Sequence, residues 1–115
     1  MVKREVVGAH YGLRGWLVQR VTAVVMAVYT LLLAAALVSL PRLDYWHWKA
    51  LWGVPVVRYA TTLFVLALLL HAWVGVRDIF MDYIKDAGLR LLLYVLTILA
   101  LAWYGLWAAR ILWGQ

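Results

Sequence analysis

Three long stretches without a fixed charge govern what this chain can fold into. Arg20, Arg42, Arg58, Arg77, Arg90 and Arg110 bound the uncharged runs 21–41, 59–76 and 91–109, which are 21, 18 and 19 residues long. As helices rising about 1.5 Å per residue, each reaches roughly the 30 Å of a bilayer's hydrocarbon. Hydrocarbon offers no partner to backbone N–H and C=O groups, and a helix satisfies them within the segment. The expected fold is therefore an all-α membrane protein with three transmembrane helices, at about 16–40, 56–77 and 89–111, in a single anchor domain over 1–115. The first run follows twenty residues that carry four basic groups and lacks a small-residue cleavage site. It reads as a retained helix and not as a signal peptide.

These spans use up most of the chain, so no soluble catalytic domain fits beside them. There are no cysteines, which excludes disulfides, Cys-ligated zinc and iron–sulfur clusters within this chain. The net charge of +6 raises nucleic acid as a partner, but the basic residues stand at span ends and form no patch. Membrane topology accounts for them better. One arrangement gathers Lys3, Arg4, Arg14, Arg20, Arg77, Lys85 and Arg90 on one side and leaves Arg42, Lys49, Arg58 and Arg110 on the other. The positive-inside rule then puts the N-terminus in the cytoplasm and the C-terminus outside.

Residues 1–15, with Gly8, Gly12 and Gly15, read as an arm lying against a partner. The first span starts near Trp16 and ends by Pro41, which lacks a backbone donor. The connection PRLDYWHWKALWGVP carries Tyr45, Trp46, Trp48 and Trp52, an aromatic, amphipathic composition suited to lying at headgroup depth. His47 reads there as an interfacial residue. The pattern of the second span allows it to continue beyond Arg77, which would stack Asp78, Asp82 and Asp86 on one stripe, answered by Arg77, Lys85 or Arg90. Gly88 reads as the break before the third span. Trp103, Trp107 and Trp113 gather toward that span's outer end.

Among Asp, Glu, Lys, Arg and His, His71 is the one side chain within these runs. An ionisable group inside the membrane is a functional hypothesis by default, and imidazole is a common iron ligand. The plain alternative is a neutral ring hydrogen-bonded to a neighbouring helix or snorkelling toward the interface. Ala67 and Gly75 lie one turn to either side of His71 on its face. Two small residues there suit either a porphyrin plane or close helix packing, and spacing does not separate the two. A second histidine ligand is not at hand: His10 precedes the first span and His47 lies on the opposite side of the membrane. A cofactor at His71 would thus be shared with another chain or another copy of this one. Arg20, and Arg14 before it, stand on the inner side, where guanidinium groups would meet propionate carboxylates; the ordinary reading is a positive-inside anchor. Asp82 and Tyr83 stand at inner headgroup depth. There a phenol suits hydrogen bonding to a quinone carbonyl and a carboxylate suits proton relay, the alternative for Tyr83 being an aromatic anchor.

With these residues in place, the chain resembles the cytochrome b556 small membrane anchors of bacterial succinate dehydrogenase, respiratory complex II. The resemblance covers nearly the whole length through QRVTAVVMAVYTL, LLLHAWVGVRDIFMDYIKDAGLRLLL and ILWGQ, of which HAWVGVRDIFMDYIKDAGLR is the specific part. It implies that His71 is an axial ligand of haem b iron, that Tyr83 contacts ubiquinone with Asp82 beside it, and that Arg20 lies near the haem propionates. It also implies a larger cytochrome b anchor subunit supplying the second histidine, iron–sulfur and flavoprotein subunits on the cytoplasmic face, and a place in the bacterial inner membrane. One departure is that some relatives carry a histidine in the arm near the propionates, where this chain has Arg14 and a displaced His10. On this reading the chain does not itself oxidise succinate; it tethers the subunits that do and lines the site of ubiquinone reduction. The competing readings are the anchor of a quinol–fumarate reductase, and a structural or ion-conducting subunit without haem.

Overall fold

A computed structural model describes residues 2–114, with side chains from Leu13 onward. It contains helices α1 (Val2–Ser39), α2 (Tyr45–Gly53), α3 (Pro55–Tyr83) and α4 (Ala87–Trp113), and no strand among the described residues. Three of them are long and apolar enough to cross a membrane: Leu13–Ser39 within α1, α3 and α4. The expected all-α fold, with three spans and a short helix between the first two, is the fold observed.

Helix α1 begins earlier than the expected start near Trp16. No proline interrupts residues 2–39, and glycine in a helix costs only about 1 kcal/mol each relative to alanine, so the glycines weaken the segment without ending it. Helix α2 is preceded by Asp44, whose side chain caps it by accepting from the His47 backbone N–H at 2.9 Å. Its aromatic residues pair edge to face, Tyr45 with Trp46 and Trp48 with Trp52. Val54 then separates α2 from α3, which opens on Pro55, a position where proline's missing N–H costs nothing.

The other end of α3 corrects one expectation. The helix stops at Tyr83, with Ile84 as its C-cap, and α4 starts at Ala87 with Asp86 as N-cap residue. Only Asp78 and Asp82 therefore share the expected stripe, and Asp78 meets Arg77 at 3.5 Å. Asp86 stands before the N-terminus of α4, where the helix dipole favours negative charge. Gly88 lies in the first turn of α4 and is not the break.

Helix α3 is central. α1 and α4 both pack on it, and neither makes a comparably extensive contact with the other. The α1–α3 seam is antiparallel: Gly15 lies by Arg77, Gln19 by Gly75, Thr22 by His71 and Tyr29 by Thr61 and Phe64. The α3–α4 seam is antiparallel too, with Arg58 and Thr62 by Leu112 and Trp113, Leu69 by Gly105, and Trp73 by Tyr94. Among the described residues only Thr22, Thr61, Ala67 and Val74 are buried. A chain whose leucines, valines and tryptophans face outward over three spans requires apolar surroundings such as lipid.

Candidate functional site

His71 lies on the face of α3 turned to α1, partly buried, with Nδ1 3.1 Å from Thr22 Oγ1. Thr22 is 5% exposed, and its hydroxyl lies 2.7 Å from the carbonyl of Val18, one turn earlier on α1. This is the usual solution for a threonine in hydrocarbon: the hydroxyl proton goes back to the i−4 carbonyl, and the oxygen lone pairs remain for another donor. Nε2 of His71 is left without a partner among the described residues and is not fully sealed.

The small residues around His71 resolve toward helix packing. Ala67 is 4% exposed. A methyl built on Gly75 would meet Gln19 Nε2 at 3.5 Å, so α1 already covers that position. The seam's end toward Gly15 and Arg77, one turn or so further, holds two polar atoms that are buried without a partner, Gln19 Oε1 and Arg77 Nε. Buried unpaired groups are few in folded proteins, and each calls for a partner such as water, an ion or another molecule.

Arg20 is exposed, its guanidinium 5.5 Å above the Trp16 ring, and it has no ion pair among the described residues. It stands two residues before Thr22, about 3 Å of helix rise away and roughly 200° around α1. It shares the depth of the Thr22–His71 pair while leaving the helix on the other side, and no contact brings it to His71. Arg14 is exposed as well, and the side chain of His10 lies outside the described residues. Asp82 and Tyr83 close α3, both exposed, Tyr83 at 76%. They follow His71 by 11 and 12 residues, so Tyr83 stands about 18 Å further along the axis. The structure thus joins His71 to Thr22 and sets Tyr83 with Asp82 apart, at the helix end.

His47 is at the opposite end of the bundle, with Nδ1 donating to Asp44 Oδ1 at 2.7 Å. That bond and the backbone N–H of His47, the larger influence, hold the Asp44 carboxyl below its ordinary range. His47 cannot serve the site around His71, and among the described residues no cluster of three or more His, Cys, Asp or Glu stands ready for a metal.

Two features carry no mark in the sequence. Thr22 is one threonine among several in apolar runs; only the antiparallel register with α3 marks it out. Arg58, which reads as a span boundary, reaches across to donate from Nε and Nη2 to the Leu112 carbonyl at 3.1 and 2.7 Å, its guanidinium 4.5 Å over the Trp113 ring.

Over residues 2–109 the chain matches the family described as succinate dehydrogenase/fumarate reductase transmembrane subunit. It is 35% identical over 102 residues to the succinate dehydrogenase hydrophobic membrane anchor subunit of Coxiella burnetii (strain RSA 493 / Nine Mile phase I), a match covering 89% of this chain and 89% of that one.

Proposed function

The chain belongs to the succinate dehydrogenase/fumarate reductase transmembrane-subunit family and is a membrane anchor of that kind; from this premise we propose that it contributes one axial ligand to a haem b shared with a second anchor subunit and lines part of a ubiquinone-reduction site. The observation that carries the proposal is His71: within the span, its Nδ1 engaged by Thr22 and its Nε2 without a partner among the described residues. A ring oriented through one nitrogen and free at the other fits an iron ligand. The donor set fits as well, because one chain offers a single reachable imidazole, which a bis-histidine site between two chains requires. The orphaned Arg77 Nε at the seam's inner end and the exposed Arg20 guanidinium supply cationic donors on the side proposed for the propionates.

Haem b, held through His71, would supply one-electron storage to the complex. The chain's own residues do the rest. His71 presents its Nε2 lone pair. Arg20 offers a bidentate guanidinium to a carboxylate, which balances negative charge at the membrane's inner side. The Tyr83 hydroxyl donates to a quinone carbonyl, an interaction that strengthens as charge develops on that oxygen, and Asp82 next to it orients the phenol or passes a proton. The remaining assembly follows the resemblance: a larger cytochrome b anchor subunit, an iron–sulfur subunit and a flavoprotein subunit, in the bacterial inner membrane, with the N-terminus and the α3–α4 connection cytoplasmic. The seven-to-four division of basic residues supports that orientation.

The hydrogen bond to Thr22 also favours a second reading, in which His71 is simply a packing residue with its polarity satisfied. A reduced-minus-oxidised spectrum of the co-expressed complex, with its co-purifying chains identified, decides between them. A b-type haem altered or lost in His71→Ala supports ligation. An unchanged spectrum and potential in that variant overturns it.

A further inference from the structure

Three threonines at the two seams use their hydroxyls in one way. Thr61 Oγ1 lies 2.7 Å from the Val57 carbonyl and 2.6 Å from Tyr29 Oη. Thr62 Oγ1 lies 2.8 Å from the Arg58 carbonyl and 2.9 Å from Trp113 Nε1. Thr22 Oγ1 lies 2.7 Å from the Val18 carbonyl and 3.1 Å from His71 Nδ1. A hydroxyl has one proton, and in each case a backbone carbonyl, which can only accept, takes it. The group across the seam must then be the donor. For Trp113 this is unambiguous, since indole N–H cannot accept.

The same accounting at Thr22 makes His71 Nδ1 the donor, so the neutral ring carries its proton there and its lone pair on Nε2. We infer that Thr22 is the positioning residue of this site: by accepting from Nδ1–H it selects the tautomer in which Nε2 is free to bind iron, and it tunes the electron density of that nitrogen. The inference rests on the proposed ligation by His71. An acceptor on the distal N–H makes imidazole a stronger donor to its metal, which favours ferric over ferrous iron and lowers the haem's potential. Thr22 does not touch the iron. Its effect passes through the ring.

The test uses the co-expressed, purified complex and reads the haem midpoint potential and optical spectrum. Thr22→Val keeps the branched shape and removes the hydroxyl. It should raise the potential, shifting the oxidised-to-reduced ratio about tenfold, or about 59 mV for one electron, the low end of what loss of an outer-shell partner does. Thr22→Ser keeps the hydroxyl and should hold the wild-type value. If Thr22→Val does not assemble, Thr22→Ala removes the same hydroxyl with less bulk and must shift the potential in the same direction. A hydroxyl-deleted variant with wild-type potential overturns the inference, as does a Ser variant shifted as far as the deletion. His71→Ala, measured alongside, separates the two levels. A changed spectrum there with an unmoved Thr22→Val overturns the tautomer role alone; if neither variant moves, ligation by His71 falls with it.

Discussion

The two seams of α3 join similar helices but place their polar atoms differently. Against α1, one hydrogen bond lies deep within the span, Thr22 with His71, while the other, Tyr29 with Thr61, stands at the depth of Thr62. Against α4, the polar contacts gather at one end, where Arg58 and Thr62 meet Leu112 and Trp113. The rest of that seam is Leu69 against Gly105, and Tyr94 beside Trp73 and Phe80. Hydrogen bonds between membrane helices average only about 0.6 kcal/mol. That is too little to explain keeping an imidazole in mid-membrane, where polar groups are expensive. An end clasp suffices to hold a helix, and polarity inside a span marks a task other than holding.

Tyr83 gives the strongest test of this division, because neither seam holds it: at 76% exposed it contributes no packing that either seam needs. Tyr83→Phe removes one hydroxyl and keeps the ring at the interface. Ubiquinone reduction should fall by about five- to 150-fold in rate or affinity, the worth of a hydrogen bond of about 1–3 kcal/mol. Haem content, assembly and succinate oxidation with a soluble acceptor should stay near wild type. Quinone reduction equal to wild type at both low and saturating quinone makes Tyr83 an anchor and removes it from the site.

A matched pair of substitutions compares the seams directly. Ala67 is buried, whereas Ala108 borders an open apolar groove of about 420 Å³ between α3 and α4. Ala67→Leu forces extra carbons into a closed seam and should cost about 1–3 kcal/mol, read as a lowered Tm of the purified complex. Ala108→Leu extends into free space and should cost far less. Equal losses would show that the groove is closed in the assembled complex and that the contrast belongs to the isolated chain.

The contrast itself is hard to read in the sequence, although the fold is not. Span number follows from charge spacing, because the penalty for a charge in hydrocarbon is large and local. His71 is visible for the same reason, as the exception to an uncharged run. Thr22 is not, because its significance arises from the register of two antiparallel helices 49 residues apart in sequence, which no local pattern encodes. Ala67 and Gly75 suit a porphyrin or a neighbouring helix equally, and only the position of Gln19 against Gly75 separates them. The end of α3 is misread from sequence because Gly88 looks like the stronger breaker, whereas Asp86 holds the N-cap position before α4.

The α4 clasp should respond in the opposite sense to the His71 site. Arg58→Leu removes two charge-assisted hydrogen bonds to the Leu112 carbonyl and the cation–π contact with Trp113. About 1–2 kcal/mol of local stability should go with them, seen as faster hydrogen exchange in the last turns of α4. The haem spectrum and potential should not change. A shift in haem potential comparable to that of Thr22→Val would show that the seams are coupled and would break the comparison.

The smallest expected effect is at Asp44, in the connection that neither seam includes. Its carboxylate accepts from the His47 backbone N–H and, at 2.7 Å, from His47 Nδ1, with Arg42 3.5 Å away. Those bonds favour the charged form and hold its pKa below the ordinary 3.8. For a group with a depressed folded-state pKa, the stabilisation is complete above the unfolded value and is lost as pH falls through the folded one. The cap on α2 should therefore be intact at neutral pH and fail only below about pH 3.8, on acidification through the lowered value. Hydrogen exchange of the first α2 amides, measured on the lipid-embedded complex from neutral pH down to about pH 3, should show protection falling only at the acid end. Asp44→Asn, whose amide oxygen can still cap a helix, should remove that acid step while keeping protection at neutral pH, and Asp44→Ala should lose protection throughout. If the Asn variant keeps the same acid step, some group other than Asp44 titrates. Since α2 packs on α3 away from Thr22 and His71, neither variant should move the haem potential.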